Sequence, residues 1–337
     1  MGSRSGDTLS QKTLLITGCD GFIGQHVARA ARAGGWRTRG VTRSPVSAAP
    51  ATRLDDRVQL DLLAPDAEDR LTGAMDGVTA VIHAAARVQL FGRPAPVIRD
   101  NVATTTRVLS AATRAGQPRF VFLSSASVLF QARDQPGLRE DAACPTRCMN
   151  GYAESKKRCE TLVRGYAGSS AILRPQAVIG PGDRTLLPPV LAAARSGRWR
   201  WVGERDAAAT DLMSVANLAA YCLRAAERTD ATGVFHLSDG ETVPIEELFR
   251  HVFEALGIRV GERRIRASTA RHLARIVETP LRWVAPRIEP PLTLFGIEVL
   301  IRTRTLDRAR TLSYLGDPEH GVWQGLQRAI EALPLQR

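Results

Sequence analysis

Tyr152 and Lys156 are the residues whose types and spacing most directly suggest chemistry. They stand four residues apart in GYAESKKRCE, a stretch over 151–160 that is predicted to be helical. Four residues make about one helical turn, so both side chains project from the same face. An ammonium beside a phenol favours the phenolate and lowers the pKa of the tyrosine, as a general acid or base near neutral pH requires. The spacing predicts a proton-transfer pair, but a polar helix can also hold these two residues by chance.

A glycine-rich turn stands far upstream of this pair. Gly18, Gly21 and Gly24 follow the apolar run TLLIT at G-x-x-G-x-x-G spacing and precede a helical stretch. Glycines in this place permit a tight turn and let backbone amides approach a pyrophosphate, which the N-terminus of the helix then holds. The turn therefore predicts a dinucleotide site, and a glycine turn without a ligand is the alternative.

The end of the second predicted strand, over 37–43, bears on the choice of dinucleotide. An acidic residue there would accept hydrogen bonds from the ribose of NAD, but this sequence has Thr42 and Arg43. A guanidinium pairs with a 2′-phosphate, so NADP(H) is predicted as the preferred cofactor and NAD(H) as the alternative. The alternative is that Arg43 is one more surface residue of an arginine-rich chain.

Two serines end an apolar strand in FLSSASV, over 122–128. Strand ends are where α/β sheets bind their ligands. Ser124 and Ser125 alternate in direction, so at most one of them can face a substrate. Serines that only terminate a strand would give the same pattern, but the order of glycine turn, serines and Tyr-Lys pair along the chain favours a catalytic role.

The elements that would position these residues follow an α/β rhythm. Short apolar runs alternate with helical stretches, which predicts βαβ units and a Rossmann-type doubly wound parallel sheet. After Gly182 the rhythm changes to longer helices and proline-rich connectors. We therefore expect a nucleotide-binding domain over 1–182 and a mainly substrate-binding lobe over 183–337. The predicted strands cover 13–17, 37–43, 80–86, 119–125 and 170–180.

The composition excludes several classes of protein. The chain has 337 residues, 44% of them hydrophobic, and a formal charge of +12 carried almost entirely by arginines scattered along its length. That scatter argues against a nucleic-acid surface, while an anionic ligand or an acidic membrane stays open. The sequence has no apolar run of ~20 residues and no signal-peptide core at its start, so a cytoplasmic protein is expected. Cys144 and Cys148 lack a second ligand pair, so no metal is predicted.

One later stretch, over 269–287, is basic and amphipathic. Such a stretch can pack its apolar side against its own domain, lie on a membrane surface or cover a lipophilic substrate. Its apolar members are Leu273, Ile276, Val277, Leu281, Trp283 and Val284.

Together these motifs resemble the extended short-chain dehydrogenase/reductases of the NAD-dependent epimerase/dehydratase superfamily. The resemblance runs through TGCDGFIG, LDLLAP, HAAA, DNVATTTRVLSAA, LSSASV and LRPQAVIGPGD. It implies that Ser125 holds the substrate oxygen, with Ser127 in reserve. Tyr152 would transfer a proton to or from that oxygen, and Lys156 would bind the nicotinamide ribose. It further implies a homodimer and a return of 211–240 to the nucleotide-binding domain. The implied cofactor-binding residues are Gly18, Gly21, Phe22, Ile23, Gly24, Arg43, Asp61, Leu62, Ala84, Ala85, Ala86, Asn101, Tyr152, Lys156, Pro175 and Val178.

The branch of the family follows from departures in these motifs. Ala126 stands where dehydratases carry an acid, which argues against dehydration, and Leu129 and Phe130 replace the Tyr-Gly that sugar epimerases usually have. RPQAVIGPGD and PPLTLFGIEVL resemble the 3β-hydroxysteroid dehydrogenase branch, which includes sterol-4-carboxylate 3-dehydrogenases and 2-alkyl-3-oxoalkanoate reductases. Ser214 and Ala216 depart from the residues common in that branch.

The implied function is an NAD(P)-dependent interconversion of a secondary alcohol and a ketone. The implied substrate is hydrophobic: a sterol, a β-keto acid or a biosynthetic intermediate. An epimerase that retains its NAD is the alternative among enzymes. A non-catalytic dinucleotide sensor is a third possibility, but such proteins generally lose the tyrosine or the lysine.

Overall fold

The computed structural model describes residues 11–45, 53–285, 290 and 293–333. The strands are Thr13–Thr17 (β1), Arg37–Thr42 (β2), Asp56–Gln59 (β3), Ala80–His83 (β4), Arg119–Leu123 (β5), Gln135–Leu138 (β6), Ser170–Pro175 (β7), Ala177–Ile179 (β8), Trp201–Val202 (β9), Ala209–Ser214 (β10), Gly233–Leu237 (β11), Thr242–Pro244 (β12), Arg264–Ile265 (β13) and Arg304–Leu306 (β14). The α-helices are Phe22–Ala33 (α1), Ala67–Ala74 (α2), Pro94–Arg114 (α3), Gly151–Arg164 (α4), Leu187–Arg195 (α5), Val215–Glu227 (α6), Ile245–Ala255 (α7), Ala267–Val284 (α8), Leu294–Ile301 (α9), Ala309–Leu315 (α10) and Val322–Glu331 (α11).

Seven strands form one parallel sheet in the order β11-β7-β5-β4-β1-β2-β3. The chain builds outward from β1 to β3, then returns to the middle and builds the other way from β4. Ligands of such sheets bind in the crevice at the carboxyl ends of the strands, where the direction of building reverses. This topology confirms the predicted doubly wound Rossmann-type fold.

The central strands are buried on both faces, which explains their nearly continuous apolar sequence. Successive side chains alternate between two cores. Leu14 and Ile16 belong to the core beneath α1 and α6. Leu15 belongs to the core beneath α2, α3 and α4. Helices thus cover both faces of the sheet.

The predicted run over 170–180 divides into two strands. β7 ends at Pro175 in the large sheet, and β8 leaves that sheet to pair with β10. Gln176 lies between them and donates its backbone N–H to Leu237 at 2.9 Å and its side-chain amide to Thr210 at 3.2 Å. The bend at Gln176 therefore joins the large sheet to a second sheet with the order β12-β10-β14-β6.

The chain beyond residue 182 contributes to both parts of the molecule. β11 is the outer neighbour of β7, and α6 packs against α1 in the core of the large sheet. A separate core contains Trp199, Trp201, Phe249 and Phe253, whose rings make edge-to-face contacts. Within the described residues, no helix is both long enough and apolar enough to cross a membrane.

Candidate active site

The glycine turn between β1 and α1 is built from close backbone contacts. Gly18 has a φ of +69°, and a Cβ there would lie 2.8 Å from the Cα of Ala85. A Cβ on Gly24 would overlap the carbonyl oxygen of Gly18. Gly21 precedes α1, and no side chain caps the free N–H groups of the first turn. The turn therefore offers unpaired amides and the positive end of a helix to an anion, and it fits a dinucleotide pyrophosphate.

Ala84, Ala85 and Ala86 lie directly after β4, beside this turn. Thr17 Oγ1 accepts the N–H of Ala85 at 3.2 Å and pairs with His83 Nδ1 at 2.7 Å. His83 Nε2 lies 3.1 Å from Thr105 Oγ1. Burial lowers the pKa of His83 to about 3, so the ring is neutral and braces the alanine segment without adding charge.

Asn101 fastens the segment after the alanines to α4. Its Oδ1 accepts the N–H of Arg87 at 2.7 Å, and its Nδ2 donates to Ser155 Oγ at 2.8 Å. Ser155 Oγ in turn donates to the carbonyl oxygen of Tyr152 at 2.7 Å. Asn101 thus connects the predicted cofactor segment with the first turn of α4.

The Tyr-Lys pair lies on α4, which begins after Asn150, whose side chain accepts the N–H of Ala153 at 2.8 Å. Lys156 is buried, and its ammonium donates to the carbonyl oxygen of Leu123 at 2.5 Å. That ammonium lies 5.8 Å from the centroid of the Tyr152 ring. One acceptor leaves two ammonium N–H donors for other partners, which fits the hydroxyls of a ribose.

The protonation of this pair differs from the prediction. Burial raises the pKa of Tyr152 to about 12 and lowers the pKa of Lys156 to about 8. The predicted lowering of the tyrosine pKa is wrong for the protein without cofactor, because loss of solvent around the phenolate outweighs the attraction of the neighbouring ammonium. Tyr152 therefore keeps its proton at neutral pH.

The three serines after β5 have different partners. Ser124 is buried and donates to Glu160 Oε1 at 2.6 Å. Ser125 is partly exposed, and its Oγ lies 2.9 Å from Ser127 Oγ. Ser127 is buried and donates its backbone N–H to Ser125 Oγ at 3.2 Å. The hydroxyl of Ser124 is therefore occupied by Glu160, and Ser125 is the serine that remains open to a ligand.

Glu160 was not predicted, although it organises the interior side of the site. Arg174 on β7 donates to its two carboxylate oxygens at 2.8 and 2.7 Å, and both side chains are buried. The sequence did carry one signal. Glu160 follows Lys156 by four residues, so it occupies the same buried face of α4 as the Tyr-Lys pair.

The end of β2 holds a charged group that was also missed. Asp20, inside the glycine turn, accepts a hydrogen bond from Thr42 Oγ1, and Arg57 on β3 pairs with its Oδ2 at 2.7 Å. Arg43 is exposed, and no hydrogen bond or ion pair joins it to any described residue. An acidic residue does lie at the end of β2, but it comes from the turn and is already neutralised by Arg57.

The other predicted cofactor residues border these elements. Phe22 and Ile23 start α1, Asp61 is exposed beyond β3, and Leu62 is buried behind it. Asp61 Oδ1 accepts the N–H of Leu63 at 2.9 Å. Pro175 ends β7, and Val178 is paired with Met213 across β8 and β10.

A cavity of about 450 Å³ lies away from this set of residues, since none of the predicted catalytic or cofactor residues lines it. Trp201, Phe249 and Ile301 form part of its apolar wall, and Arg264 and Arg302 are among its charged residues. Glu246 pairs with Arg264 at 2.5 Å, so part of that charge is balanced within the protein.

The sheet, the uncapped glycine turn and the buried ammonium together define a dinucleotide-binding α/β enzyme. Residues 14–237 match the NAD dependent epimerase/dehydratase family. The chain belongs to this family and is an NAD-dependent enzyme of the dehydrogenase/reductase type.

Named relatives in bacteria agree with the branch that the motifs indicated. The chain is 31% identical over 326 residues to the 4-hydroxy-2-methyl-3-oxo-4-farnesyl-3,4-dihydroquinoline-1-oxide ketoreductase of Stigmatella aurantiaca, which covers 95% of this chain and 96% of the relative. It is 28% identical over 331 residues to a 2-alkyl-3-oxoalkanoate reductase of Stenotrophomonas maltophilia, with 94% and 97% covered. These matches confirm the predicted resemblance.

The fold also matches solved structures. MoeE5 in complex with UDP-glucose and NAD superimposes with a TM-score of 0.71 over 95% of this chain and 98% of that chain, at 24% identity. At this identity the likeness supports the fold alone.

Proposed function

We propose that the enzyme interconverts a ketone and a secondary alcohol on a hydrophobic substrate, with Tyr152 as acid and base. The observation that carries this proposal is the arrangement at the ends of β5 and α4. Ser125 is the serine left open, and Tyr152 shares a helix face with a buried ammonium. This arrangement offers one hydrogen-bond donor and one proton donor to a single substrate oxygen.

The protonation state favours reduction. The phenol of Tyr152 holds its proton at neutral pH because burial raises its pKa to about 12. It can therefore give that proton to the carbonyl oxygen of a ketone while the Ser125 hydroxyl donates to the same oxygen. A bound reduced nicotinamide would supply the hydride to the carbonyl carbon. Lys156 stabilises the phenolate that remains, and solvent restores its proton.

The apolar surroundings favour a hydrophobic substrate. Ala126, Phe130 and Leu306 form a small buried cluster with the partly buried Met149 and Phe295 packed against it. This cluster adjoins both Ser125 and the start of α4. The two named relatives are reductases whose names describe a farnesylated quinoline oxide and 2-alkyl-3-oxoalkanoates, which carry a farnesyl group and alkyl groups respectively. The proposed substrate is accordingly a β-keto acid, a sterol or a similar biosynthetic intermediate.

The charges at the end of β2 support a preference for NADP(H). Arg43 is exposed and without a partner among the described residues, so its guanidinium is available to a 2′-phosphate. The Asp20 carboxylate would repel that phosphate, but the Arg57 guanidinium pairs with it at 2.7 Å. The three side chains together carry one net positive charge. Binding of NADPH and NADH to the cofactor-stripped protein tests this preference by calorimetry.

We expect NADPH to bind at least about tenfold more tightly than NADH, a difference of about 1.4 kcal/mol. Arg43→Ala should remove that preference, whereas Arg53→Ala, which replaces an exposed arginine ten residues further along the chain, should leave it intact. Equal binding of the two dinucleotides by the natural protein would refute the role of Arg43 without touching the proposed reaction.

The proposal also covers the organisation of the molecule. Residues 1–182 together with 211–240 would form the dinucleotide-binding domain, and the rest of 183–337 the substrate-binding lobe. Two such chains would associate as a cytoplasmic homodimer. Light scattering of the purified protein tests the dimer, and limited proteolysis with and without NADPH tests the division into domains.

The reaction itself is tested with NADPH and a panel of 2-alkyl-3-oxoalkanoates and ketosteroids. Loss of NADPH absorbance that depends on the ketone, with equimolar formation of the alcohol, is the expected result. If tightly held NAD survives purification and the enzyme isomerises a sugar substrate without net turnover of dinucleotide, it is an epimerase and the proposal fails.

A further inference from the structure

The outward face of α8 is apolar. Of the eight large hydrophobic side chains that are exposed among the described residues, five lie on this helix. Ile276 is 57% exposed, Trp283 67% and Val284 85%. Leu273 and Val277 complete the exposed set. The sequence of 269–287 allows three alternatives. The described residues do not show the first of them, in which these side chains pack against the chain's own domain. Residues 286 and 287 lie outside the described part of the chain.

The inward face of α8 explains why the large side chains point outward. Ala270 and Ala274 are fully buried and pack with Ile297 of α9. Glu278 is buried and accepts the N–H of Leu294 at 2.5 Å. Arg271 pairs with Glu298 on α9 at 2.5 Å. Small residues and two buried carboxylates thus fix the rotation of α8, and this rotation turns its large apolar residues toward solvent.

The charges on α8 complement an anionic surface. The helix carries three arginines, of which Arg271 pairs with Glu298 of α9. Arg282 pairs with Glu278, the one acid of the helix, which leaves Arg275 without an ion pair among the described residues. Arg275 is exposed between the apolar positions and the buried side of the helix. Arg93, from the segment before α3, stacks over the Trp283 ring at 5.4 Å. Exposed apolar residues edged by arginines match the pattern of helices that lie in a membrane interface.

The carboxyl end of α8 contacts the segment that leads into α3. Arg93 donates to the carbonyl oxygen of Trp283 at 3.2 Å, and Arg282 stacks over the Phe91 ring at 5.9 Å. Phe91 and Arg93 belong to the segment that begins with Ala84–Ala86. A surface that holds α8 would therefore also lie close to this segment.

We propose that α8 docks on the surface of a lipid bilayer with anionic headgroups, with its apolar face at the boundary between headgroups and acyl chains. This inference concerns a binding surface and does not depend on the proposed ketone reduction. The same face could in principle pair with a second copy of this chain, and the experiment distinguishes the two occupants.

The experiment is flotation of the full chain with vesicles of phosphatidylcholine, alone or mixed with phosphatidylglycerol. We expect binding to the mixed vesicles at least tenfold stronger than to phosphatidylcholine alone, and weakened by high salt. Ile276→Asp and Arg275→Glu should each reduce binding to the mixed vesicles by tenfold or more. Leu312→Asp replaces a 37% exposed leucine on α10 and should leave vesicle binding unchanged.

Two further measurements keep the result interpretable. Thermal unfolding of each variant shows whether it is folded. The difference in fluorescence between the natural protein and Trp283→Phe should shift to shorter wavelength when mixed vesicles are added, because the indole enters an apolar phase. No flotation, or equal loss in the Leu312→Asp control, overturns the proposal. Absence of flotation together with an oligomer that Ile276→Asp dissociates assigns the face to a second copy instead.

Discussion

Helices α4 and α8 depart from ordinary burial in opposite ways. α4 buries an ammonium and a carboxylate, Lys156 and Glu160, while α8 leaves Ile276, Trp283 and Val284 in solvent. Burying a charge costs several kcal/mol unless partners compensate, and here Leu123, Ser124 and Arg174 provide the compensation. Exposing large apolar side chains forfeits about 25 cal/mol for each Å² left in water.

The comparison shows where each departure has its cause. The buried charges of α4 have partners within the chain, so they can be explained by a site that needs a fixed ammonium. Among the described residues, the exposed apolar side chains of α8 have no apolar covering, and only the Arg93 guanidinium lies over one of them, Trp283. Their explanation therefore lies outside the chain. Natural sequences bury charges or expose large apolar side chains chiefly at functional sites. Helix α4 does the first and helix α8 does the second.

The largest effect is expected from Tyr152→Phe. Removing the phenolic hydroxyl takes away the proposed proton donor, so kcat should fall by about 10²–10⁴-fold while the fold persists. Steady-state NADPH oxidation with a reducible ketone measures this. Tyr166→Phe is the matched control, because its hydroxyl donates to the carbonyl oxygen of Pro118 and takes no part in the site. Near-normal turnover by Tyr152→Phe would remove α4 as the source of the acid.

Glu160→Ala should destabilise the protein strongly. It leaves the Arg174 guanidinium buried without its carboxylate, which costs about 3–5 kcal/mol in the free energy of unfolding. Urea denaturation measures the change. The control is Glu154→Ala on the same helix, whose partner Arg158 is more than half exposed, so that this ion pair contributes less than about 1 kcal/mol. Similar losses of stability in both variants would contradict the expectation that the buried pair of Glu160 and Arg174 matters more.

Cofactor binding should weaken as pH rises. Burial lowers the pKa of Lys156 to about 8, so the ammonium loses its charge above that pH. The dissociation constant for NADPH should then rise by up to about tenfold for each pH unit above about 8. Lys156→Met should flatten this profile in calorimetric titrations, and an unchanged slope in that variant would exclude Lys156 as the titrating group.

The lowered pKa of Lys156 affects the free energy of unfolding in the opposite direction from cofactor binding. The pKa of Lys156 in the folded chain lies below its ordinary value of 10.5, so the unfolded chain binds more protons between pH 8 and 10.5. The contribution of this residue to the free energy of unfolding therefore grows with pH across that window, by up to about 1.4 kcal/mol per pH unit.

The smallest effect is expected from the outer face of α8. Leu273→Ser and Val277→Ser should each change the free energy of unfolding by less than about 1 kcal/mol, because nearly half of each side chain is already in water. Ala270→Leu on the inner face should cost about 1–3 kcal/mol by overpacking against α9. Thermal and urea unfolding separate the two faces, and a large loss from the outer substitutions would mean that the face is covered in solution.

Local sequence was sufficient to predict the fold class and the glycine turn between β1 and α1. The glycine turn and the strands over 13–17 and 119–123 depend on neighbouring residues, and their spacing is visible in the chain. Tyr152 and Lys156 share a helix face by the same logic. Their protonation could not be predicted in this way, because it depends on solvent exclusion by elements that are distant in sequence.

The features that local sequence did not predict depend on pairs of residues that are far apart in the chain. Asp20 and Arg57 meet only when β3 is added beside β2, and Glu160 meets Arg174 only when β7 enters the sheet. The periodicity of α8 predicted an amphipathic helix but not which face would be buried. That choice was made by Ala270, Ala274 and Glu278, whose partners lie on α9 and at its start.

The position of β11 beside β7 has a consequence for the chain while it is being synthesised. β7 ends at Pro175, but the strand that covers its free side begins only at Gly233. Until the ribosome has delivered Gly233–Leu237, the backbone groups on that side of β7 stay open to pairing with another chain. A nascent chain or fragment that ends before Gly233 therefore carries an unpaired strand edge on β7 that the finished molecule covers.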